Sequence, residues 1–288
     1  MLLEKNKPLR DYTTLKIGGR AKLFFEPRSV EELLRELPHL AKENRIFVLG
    51  GGSNTVFGTF VDKCVVSTAR LSWIKPLKED RFGITFEVGG GTPLIKLLKI
   101  SIKENLGGLE GLFGIPRITV GGAVAMNAGA YGFEIGQTVE SVEYLNLKTF
   151  EVIEDEKPHF GYRSSPYRGK GLIVKVRLRL KKVDYPVGDR IGELLLKRRK
   201  KQPLSLPSAG STFKNPPGDF AGRLIEAVGL KGYCTEGGLC FSRIHANFAV
   251  NLSKRATFED FVELTTLAKE RVFKTFGVEL EEEVTVVV

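Results

Sequence analysis

Hydrophobic and polar residues follow one another along the chain in patterns that predict strands and helices in mixed order. The segment LIVKVRLRLKK (172–182) alternates strictly between aliphatic and basic residues, so it predicts a strand with one solvated face. The runs RIFVLG (45–50), CVVST, ITFEV and VESVEYLNL predict further strands, and the first of them ends in a glycine-rich turn, GGGSN.

Two helices are predicted among these strands. SVEELLREL begins with a capping box of Ser29 and Glu32, and Pro38 is expected to end or bend this helix. Thr92 and Pro93 mark the start of the second helix, whose leucines fall on one stripe and which Gly107 is expected to close.

A domain boundary is predicted at KVDYPVGD (182–189), which contains Pro, Gly and Asp without periodicity. Beyond it the pattern predicts a basic helix, a short helix near DFAGRLIEAVGL, a strand at NFAVNL and a final strand at VELEEEVTVVV. A long helix is predicted from Thr257 to Phe276, where Gly277 ends it. These elements predict a small C-terminal α/β domain.

Composition indicates a globular protein with a large core. Of 288 residues, 42% are hydrophobic and 27% are charged, and no apolar run is long enough for a signal peptide or a membrane span, which predicts a cytoplasmic protein. The cysteines Cys64, Cys234 and Cys240 are few and odd in number, which favours a reducing compartment over a disulfide framework. With three scattered histidines they also predict no metal site.

The net charge of +10 favours an anionic partner, and the run KRRKK (197–201) concentrates it. Nucleic acid, a membrane surface and phosphorylated small molecules all remain open, as does a solvated helix end whose cations suit the helix dipole. The absence of a recognisable nucleic-acid-binding motif ranks the nucleic-acid interpretation low.

Two glycine-rich segments are candidates for contact with a ligand. GGGSN fails the Rossmann pattern because Thr55 occupies the place of the third glycine, and the chain has no P-loop motif. GIPRITVGGAVAMNAGAYG (114–132) has five glycines and four alanines, which indicates close backbone packing or a ligand that touches N–H groups. One ligand that touched both segments would be an extended dinucleotide such as FAD.

A family resemblance runs almost end to end. TTLKIGGRA, LGGGSN, GLEGLFGIP followed by VGGAVAMNAGAYG, GYRSSPYR, QPLSLPSAGSTFKNP, SRIHANFAVN and GVELEEEV resemble, in this order, the UDP-N-acetylenolpyruvoylglucosamine reductases of bacterial cell-wall synthesis. The resemblance implies an α+β fold, with a two-subdomain FAD-binding fold of the vanillyl-alcohol-oxidase type (1–60 and 61–185) and a substrate-binding domain (186–288). The chain length suggests the shorter type of the family, which lacks an extra substrate loop.

The resemblance also implies ligands: bound FAD, NADPH as co-substrate, and UDP-N-acetylglucosamine-enolpyruvate as substrate. The family places two small residues between GIP and VGGA, whereas this chain has Arg117, Ile118 and Thr119, one residue more. The residues implied to bind FAD are Gly50, Gly51, Gly52, Ser53, Asn54, Gly114, Ile115, Pro116, Thr119, Gly121, Gly122, Ala123, Asn127, Gly129 and Ala130.

Three residues match the family's catalytic positions. Arg163 matches the arginine that binds the substrate carboxylate, and Ser211 matches the proton donor. Glu283 matches the partner glutamate, although strand parity would place it on a solvated acidic edge with Glu279 and Glu281. An ordinary surface arginine and an ordinary serine in a glycine turn are the alternatives for the first two.

The nucleotide sugar is expected to bind cations and amides. Neighbours in the basic run could substitute for one another, and buried structural hydrogen bonds explain His245 and Asn247 equally well. A flavin oxidase of the same fold that acts on another alcohol or sugar is the nearest alternative function. The predicted substrate-binding residues are Tyr162, Arg199, Lys201, Lys214, Asn215 and His245.

Overall fold

The chain forms two compact units that are not contiguous in sequence. The computed structural model describes residues 2–288. Unit 1 comprises residues 2–5, Leu23–Gly51 and Asp62–Leu196, and unit 2 comprises Asn6–Lys22, Gly52–Val61 and Lys197–Val288. These bounds do not coincide with the predicted boundaries at residues 60 and 185, and the three-domain division stays a prediction.

Strands and helices alternate through the described residues. The helices are α1 Val30–Glu43, α2 Leu94–Lys103, α3 Val120–Ala125, α4 Val187–Lys201, α5 Ala221–Ala227 and α6 Phe258–Phe276, with short 3₁₀ turns at Arg10–Tyr12, Glu110–Leu112 and Ile135–Gln137. The strands are β1 Leu2–Pro8, β2 Arg20–Glu26, β3 Ile46–Leu49, β4 Thr55–Phe57, β5 Phe60–Ser67, β6 Ile74–Asp80, β7 Gly83–Gly89, β8 Leu106–Gly107, β9 Gly129–Ala130, β10 Phe133–Glu134, β11 Val139–Asn146, β12 Val152–Asp155, β13 Gly171–Lys182, β14 Leu239–Phe241, β15 Ala249–Asn251 and β16 Thr285–Val287.

Unit 1 contains two hydrophobic cores. The first includes apolar residues of α1 and of the four-stranded sheet ordered β1-β2-β5-β3. The second lies between α2, α3 and the sheet ordered β12-β11-β13-β7-β6, in which β8 also pairs with β13. The first core also includes Leu145, Leu172 and Val174 of β11 and β13, so both sheets contribute to it, and the helices complete the layered α/β packing.

Strand β13 confirms the predicted alternation from Val174 to Lys181, whereas Ile173 is buried at the parity of the basic residues, and the basic face is largely neutralised. Its aliphatic residues are buried in the cores. On the opposite face Lys175 Nζ lies 3.0 Å from Glu143 Oε2, and Arg179 Nη2 lies 2.6 Å from Asp80 Oδ1. The hydrogen bonds from backbone N–H groups and from Arg179 lower the pKa of Asp80, so its carboxylate stays charged beside this strand.

Pro38 does not end α1, although its alternative role of bending the helix stays a prediction, and Gly107 does not close α2. Helix α1 continues through Pro38 to Glu43, because Leu33 and Leu37 are fully buried and their packing outweighs the hydrogen bond that proline cannot donate. Helix α2 ends at Lys103, and Gly107 instead pairs with Lys181 in the sheet. Ser29 caps α1 as predicted, since its side chain accepts a hydrogen bond from the Glu32 N–H.

Unit 2 is organised around α6. The helix spans the predicted range, with a capping box between Thr257 and Asp260 and a left-handed Gly277 (φ 68°) at its end. The predicted C-terminal strand is confined to β16, which pairs in parallel with β4. This long-range pairing places Gly52–Val61 in the same unit as the C-terminus.

The expectation that the cysteines form no disulfide is wrong for one pair. Cys234 and Cys240 face each other in an antiparallel bridge with Cα atoms 4.0 Å apart, and their sulfurs are bonded. The tight turn between them brings the side chains together, which the spacing in the sequence does not reveal. Cys64 is buried, and burial raises the pKa of its thiol to about 12.

Candidate functional site: two glycine segments and a serine–glutamate pair

The glycine-rich turn after β3 contacts the second glycine-rich segment within unit 1. A Cβ on Gly51 would lie 1.5 Å from the carbonyl oxygen of Arg117, and a Cβ on Gly50 would lie 2.8 Å from Thr119 Oγ1. Neither position accepts a side chain unless its neighbour moves. The two segments that the sequence predicted to be near one ligand therefore lie side by side.

Helix α3 begins in the second segment and uses several N–H groups itself. Thr119 is its N-cap and accepts a hydrogen bond from the Gly122 N–H at 3.2 Å. Gly121 donates to the Gly90 carbonyl at 2.8 Å, and a Cβ on Gly121 would lie 2.7 Å from that same oxygen. Close backbone packing thus explains Gly121 without any ligand.

The first turn, by contrast, makes no such use of its N–H groups, although Gly52 is itself a buried residue. Within residues 2–288, the backbone N–H groups of residues 50–52 donate to no protein acceptor. Gly52 is left-handed (φ 69°), and a Cβ there would lie 1.9 Å from the Tyr12 carbonyl oxygen. N–H groups of this kind, with no side chain over them, suit the diphosphate of a dinucleotide.

Arg117 is the first of the three residues between GIP and VGGA in the second segment. It is exposed and left-handed (φ 55°), while the next residue, Ile118, is buried and accepts a hydrogen bond from the Leu94 N–H at 2.9 Å. Arg117 therefore lies in an exposed turn before the cap of α3. Gly114 and Ile115 are half-buried and Pro116 is exposed.

The Asn127 side chain is engaged inside the protein. It is 1% exposed; its Nδ2 donates to Glu134 Oε2 and to the Gly161 carbonyl, both at 2.9 Å. Its Oδ1 accepts the Gly136 N–H at 3.1 Å. The side chain thus ties the segment that follows α3 to the segment GYRSSPYR, and its predicted contact with the cofactor stays a prediction.

Arg163 lies in a tight turn of unit 1. Gly161 and Ser164 exchange two hydrogen bonds of 3.1 Å, and Arg163 between them is left-handed (φ 51°). Its Nη2 donates to the Gly129 carbonyl at 2.7 Å, and its guanidinium lies 5.0 Å from the ring centroid of Tyr162, which is 62% exposed. The arginine is half-buried, so it does not extend freely from a surface turn.

Unit 2 brings Ser211 and Glu283 onto adjacent segments of chain. Glu283 donates its N–H to the carbonyl of Thr212, the residue after Ser211, at 2.9 Å. Asn54 Nδ2 donates to the Glu283 carbonyl at 3.0 Å, and the Asn54 carbonyl accepts the Thr285 N–H at 2.9 Å. Hydrogen bonds thus join Glu283 to Asn54, a predicted cofactor residue, and to Thr212, the residue that follows Ser211.

The side-chain alternation of a regular strand, which would place Glu283 on one face with Glu279 and Glu281, does not apply at Glu283. The chain between Glu279 and Val284 is not a strand: Glu282 makes a single bridge with Phe213, and the backbone bends at residues 283 and 284. Glu281 is exposed, whereas Glu283 is half-buried. Because a bend resets the alternation of side chains, Glu283 is not one of a row of solvated carboxylates.

The basic run differs in burial from one residue to the next. Arg199 and Lys201 are exposed, while Arg198 is only 6% exposed and donates to Gln202 Oε1 at 3.1 Å. The sequence did not single out Arg198, since neighbouring cations in one run look alike until the helix is oriented.

The loop after Ser211 holds two further candidates. Lys214 forms an ion pair with Glu281, and its N–H donates to the Glu281 carbonyl at 2.8 Å. Asn215 Oδ1 accepts the Ala221 N–H at 3.2 Å, at the start of α5. Their predicted roles in nucleotide-sugar binding stay predictions.

His245 is half-buried in unit 2. Its Nδ1 accepts the Asn247 N–H at 3.2 Å, and its ring lies 5.0 Å from that of Phe248. Burial, with a smaller effect from Lys231, lowers the pKa of His245, which favours the neutral ring with its proton on Nε2. No group of His, Cys, Asp and Glu in residues 2–288 is arranged to hold a metal ion.

Comparison with known proteins covers both halves of the chain. Residues 21–152 match a family model described as an FAD binding domain, and residues 202–287 match the model of the UDP-N-acetylenolpyruvoylglucosamine reductase C-terminal domain. A reductase of that name from Aquifex aeolicus is 40% identical over 286 residues, which cover 99% of this chain and 95% of the relative. The chain belongs to the UDP-N-acetylenolpyruvoylglucosamine reductase family.

Further relatives agree with this assignment. The reductase of Thermotoga maritima is 40% identical over 277 residues, which cover 95% of this chain and 94% of the relative. The crystal structure of the Thermus caldophilus reductase superposes with a TM-score of 0.79 at 37% identity and covers 100% of both chains. The predicted fold class is confirmed, and the chain is an FAD-dependent oxidoreductase of this family. Within residues 2–288 no helix has the length and apolar character needed to cross a membrane.

Proposed function

We propose that this protein reduces the enolpyruvyl ether of UDP-N-acetylglucosamine-enolpyruvate to the lactyl ether of UDP-N-acetylmuramate, in peptidoglycan precursor synthesis. The full-length family match supports the reaction. The observation that carries the assignment to residues is the hydrogen-bonded pairing of the Ser211 and Glu283 segments in unit 2. FAD, reduced by NADPH, supplies the hydride for the vinyl carbon when bound.

The residues that fit FAD are those of the two adjacent glycine segments. The turn offers the available N–H groups of residues 50–52, and its glycines leave no side chain over them. Gly114 and Ile115 of the second segment are half-buried and Pro116 is exposed; they precede Arg117, whose carbonyl oxygen contacts Gly51. Asn54 links this turn to the Glu283 carbonyl.

Arg163 is proposed to bind the substrate carboxylate. Once hydride reaches the vinyl carbon, the neighbouring carbon carries charge that is shared with the carboxylate. A planar guanidinium binds both carboxylate oxygens in the same plane, which lysine cannot do. The turn between Gly161 and Ser164 and the bond to the Gly129 carbonyl hold Arg163 for this role.

Ser211 is proposed to deliver the proton that this carbon then needs. A hydroxyl is a weak acid, but an enolate carbon is basic enough to take its proton. Glu283, half-buried on the adjacent segment, is proposed to donate a hydrogen bond to the developing enolate in its protonated form. Lys214 lies on the same loop and is proposed to stabilise the serine alkoxide.

The nucleotide sugar is proposed to be bound by Tyr162, Arg199, Lys201, Lys214, Asn215 and His245. The exposed cations of this set suit a diphosphate, and the neutral His245 offers an Nε2–H donor. Because the substrate is a small nucleotide sugar and the reductant is NADPH, we place the activity in the cytoplasm and propose no nucleic-acid partner.

The deciding assay measures NADPH oxidation with and without the enolpyruvyl sugar. We expect stoichiometric NADPH consumption only with that substrate. Consumption that depends on oxygen and another alcohol would instead support a flavin oxidase. A colourless protein that FAD cannot reconstitute would contradict both.

Replacing Ser211 with alanine tests the proton donor. The substrate-reducing half-reaction should slow by roughly 10²- to 10⁴-fold, because a general acid contributes about that much. Reduction of the flavin by NADPH should keep its wild-type rate in stopped-flow absorbance measurements. Wild-type rates in both half-reactions of Ser211→Ala would rule out the proposed role.

A further inference from the structure

Asn247 fastens the segment that carries Ser211. Its Nδ2 donates to the Phe213 carbonyl at 2.8 Å and its Oδ1 accepts the Phe213 N–H at 2.9 Å. Its backbone carbonyl accepts the Thr212 N–H at 2.7 Å. The amide side chain thus makes with Phe213 the same two hydrogen bonds that a neighbouring strand residue would make.

The residues that form these hydrogen bonds are buried. Asn247 is 3% exposed, Thr212 is 1% exposed and Phe213 is fully buried. Water cannot replace these hydrogen bonds if they are lost, and an unpaired polar group in such a place is costly. The two residues after Ser211 therefore have one well-defined backbone position.

The same segment also holds Glu283. Thr212 accepts the Glu283 N–H on one side and donates to the Asn247 carbonyl on the other, while its Oγ1 accepts the Ala249 N–H at 3.1 Å. Thr212 thus lies between the segment of Asn247 and the segment of Glu283. A shift of Thr212 would displace Ser211 and Glu283 together.

We propose that Asn247 is a positioning residue for the proton-transfer step: through Thr212 and Phe213 it fixes the backbone from which Ser211 and Glu283 act. The proposal rests on the catalytic roles proposed above for those two residues. The proposal requires no contact between Asn247 and a reacting atom, since a displacement of about 1 Å at a catalytic group can cost about 10²-fold in rate.

Asn247→Asp is the sharpest variant. It keeps size and shape but replaces the Nδ2 donor with an oxygen that faces the Phe213 carbonyl. Asn251→Asp is the matched control: Asn251 is also fully buried and its Nδ2 also donates to backbone carbonyls, those of Leu15 and Lys16. Among the hydrogen bonds of residues 2–288, none joins Asn251 to residues 211–213.

Stopped-flow kinetics of the FAD-loaded variants separate positioning from folding. We expect Asn247→Asp to slow the substrate-reducing half-reaction by roughly ten- to hundredfold and to leave flavin reduction by NADPH unchanged. Asn251→Asp should leave both half-reactions near the wild-type rate, even if it lowers the melting temperature as much as Asn247→Asp does. Equal losses in both half-reactions of Asn247→Asp would overturn the proposal.

A double-mutant comparison tests whether Asn247 acts through Ser211. In a Ser211→Ala background, Asn247→Asp should cause a smaller further loss than in the wild type, because only its effect through Glu283 then remains. The full loss in that background would overturn the proposal.

If Asn247→Asp does not fold, Asn247→Ser takes its place. If neither variant folds while Asn251→Asp does, Asn247 is purely structural and the proposal is overturned. If Ser211→Ala alone has no effect, the proposed function fails instead.

Discussion

At the scale of single residues, some glycines of this protein are required by close packing and others are not. Gly51 and Gly121 are required by neighbouring backbone, since a Cβ at either would overlap a carbonyl oxygen. A Cβ added at Gly192 in α4 would meet no atom within 4 Å, and Gly192 has no left-handed φ. The glycine content of a segment therefore indicates close approach, but only the structure shows what approaches.

Gly51→Ala should weaken both folding and FAD binding. The new Cβ would overlap the Arg117 carbonyl, and overpacking of this kind costs roughly 1–3 kcal/mol. Thermal unfolding and FAD titration of the apoprotein measure the two effects. Gly192→Ala is the control and should be neutral or stabilising, by up to about 1 kcal/mol, because it improves helix propensity without a clash. Similar behaviour of the two variants would contradict this assignment.

At the scale of elements, local patterns predicted most strands and helices. The alternation of β13 and the capped length of α6 appear in the structure as the residues indicate. Pro38 shows where a local rule fails, because the burial of Leu33 and Leu37 keeps α1 helical on both sides of it. Helix ends are decided by packing as well as by capping residues.

Pro38→Ala should stabilise the protein. Alanine restores a backbone N–H to the helix interior and removes the clash of the proline ring, which outweighs the greater freedom of the unfolded chain; we expect a gain of about 1–2 kcal/mol in the free energy of unfolding. Urea denaturation of the FAD-loaded protein measures it. His39→Ala, at the exposed neighbour, should change stability by less than about 0.5 kcal/mol. A loss of stability in Pro38→Ala would show that proline suits this position.

At the scale of the whole molecule, each compact unit is built from segments that are not consecutive along the chain. Residues 6–22 and 52–61 belong to unit 2, because β4 pairs with β16 and because Leu15, Ile17 and Val56 pack into its core. A contiguous division of the sequence misses such segments. The turn at residues 50–54 lies immediately before β4, so its position depends on a strand at the opposite end of the chain.

Removal of FAD should destabilise the protein reversibly. A ligand that binds only the folded state stabilises it by about 2.7 kcal/mol at a free concentration of about 100 Kd. Calorimetry of stripped protein should show a melting temperature that rises with added FAD. Riboflavin, which lacks the diphosphate for the glycine turn, should raise it much less. An equal rise in melting temperature with FAD and with riboflavin would show that the contact between the diphosphate and residues 50–52 is absent.

The residues alone determined the order of most elements, because periodicity and capping are local properties of the chain. The family and the candidate catalytic groups came from the resemblance of the motifs to a known family. Only the tertiary structure decided that Glu283 lies at a bend beside Thr212, that Cys234 meets Cys240, and that Asn247 holds the Ser211 segment. Each of these depends on which segments pair, and pairing is settled by burial and hydrogen bonding between parts of the chain that no local pattern connects.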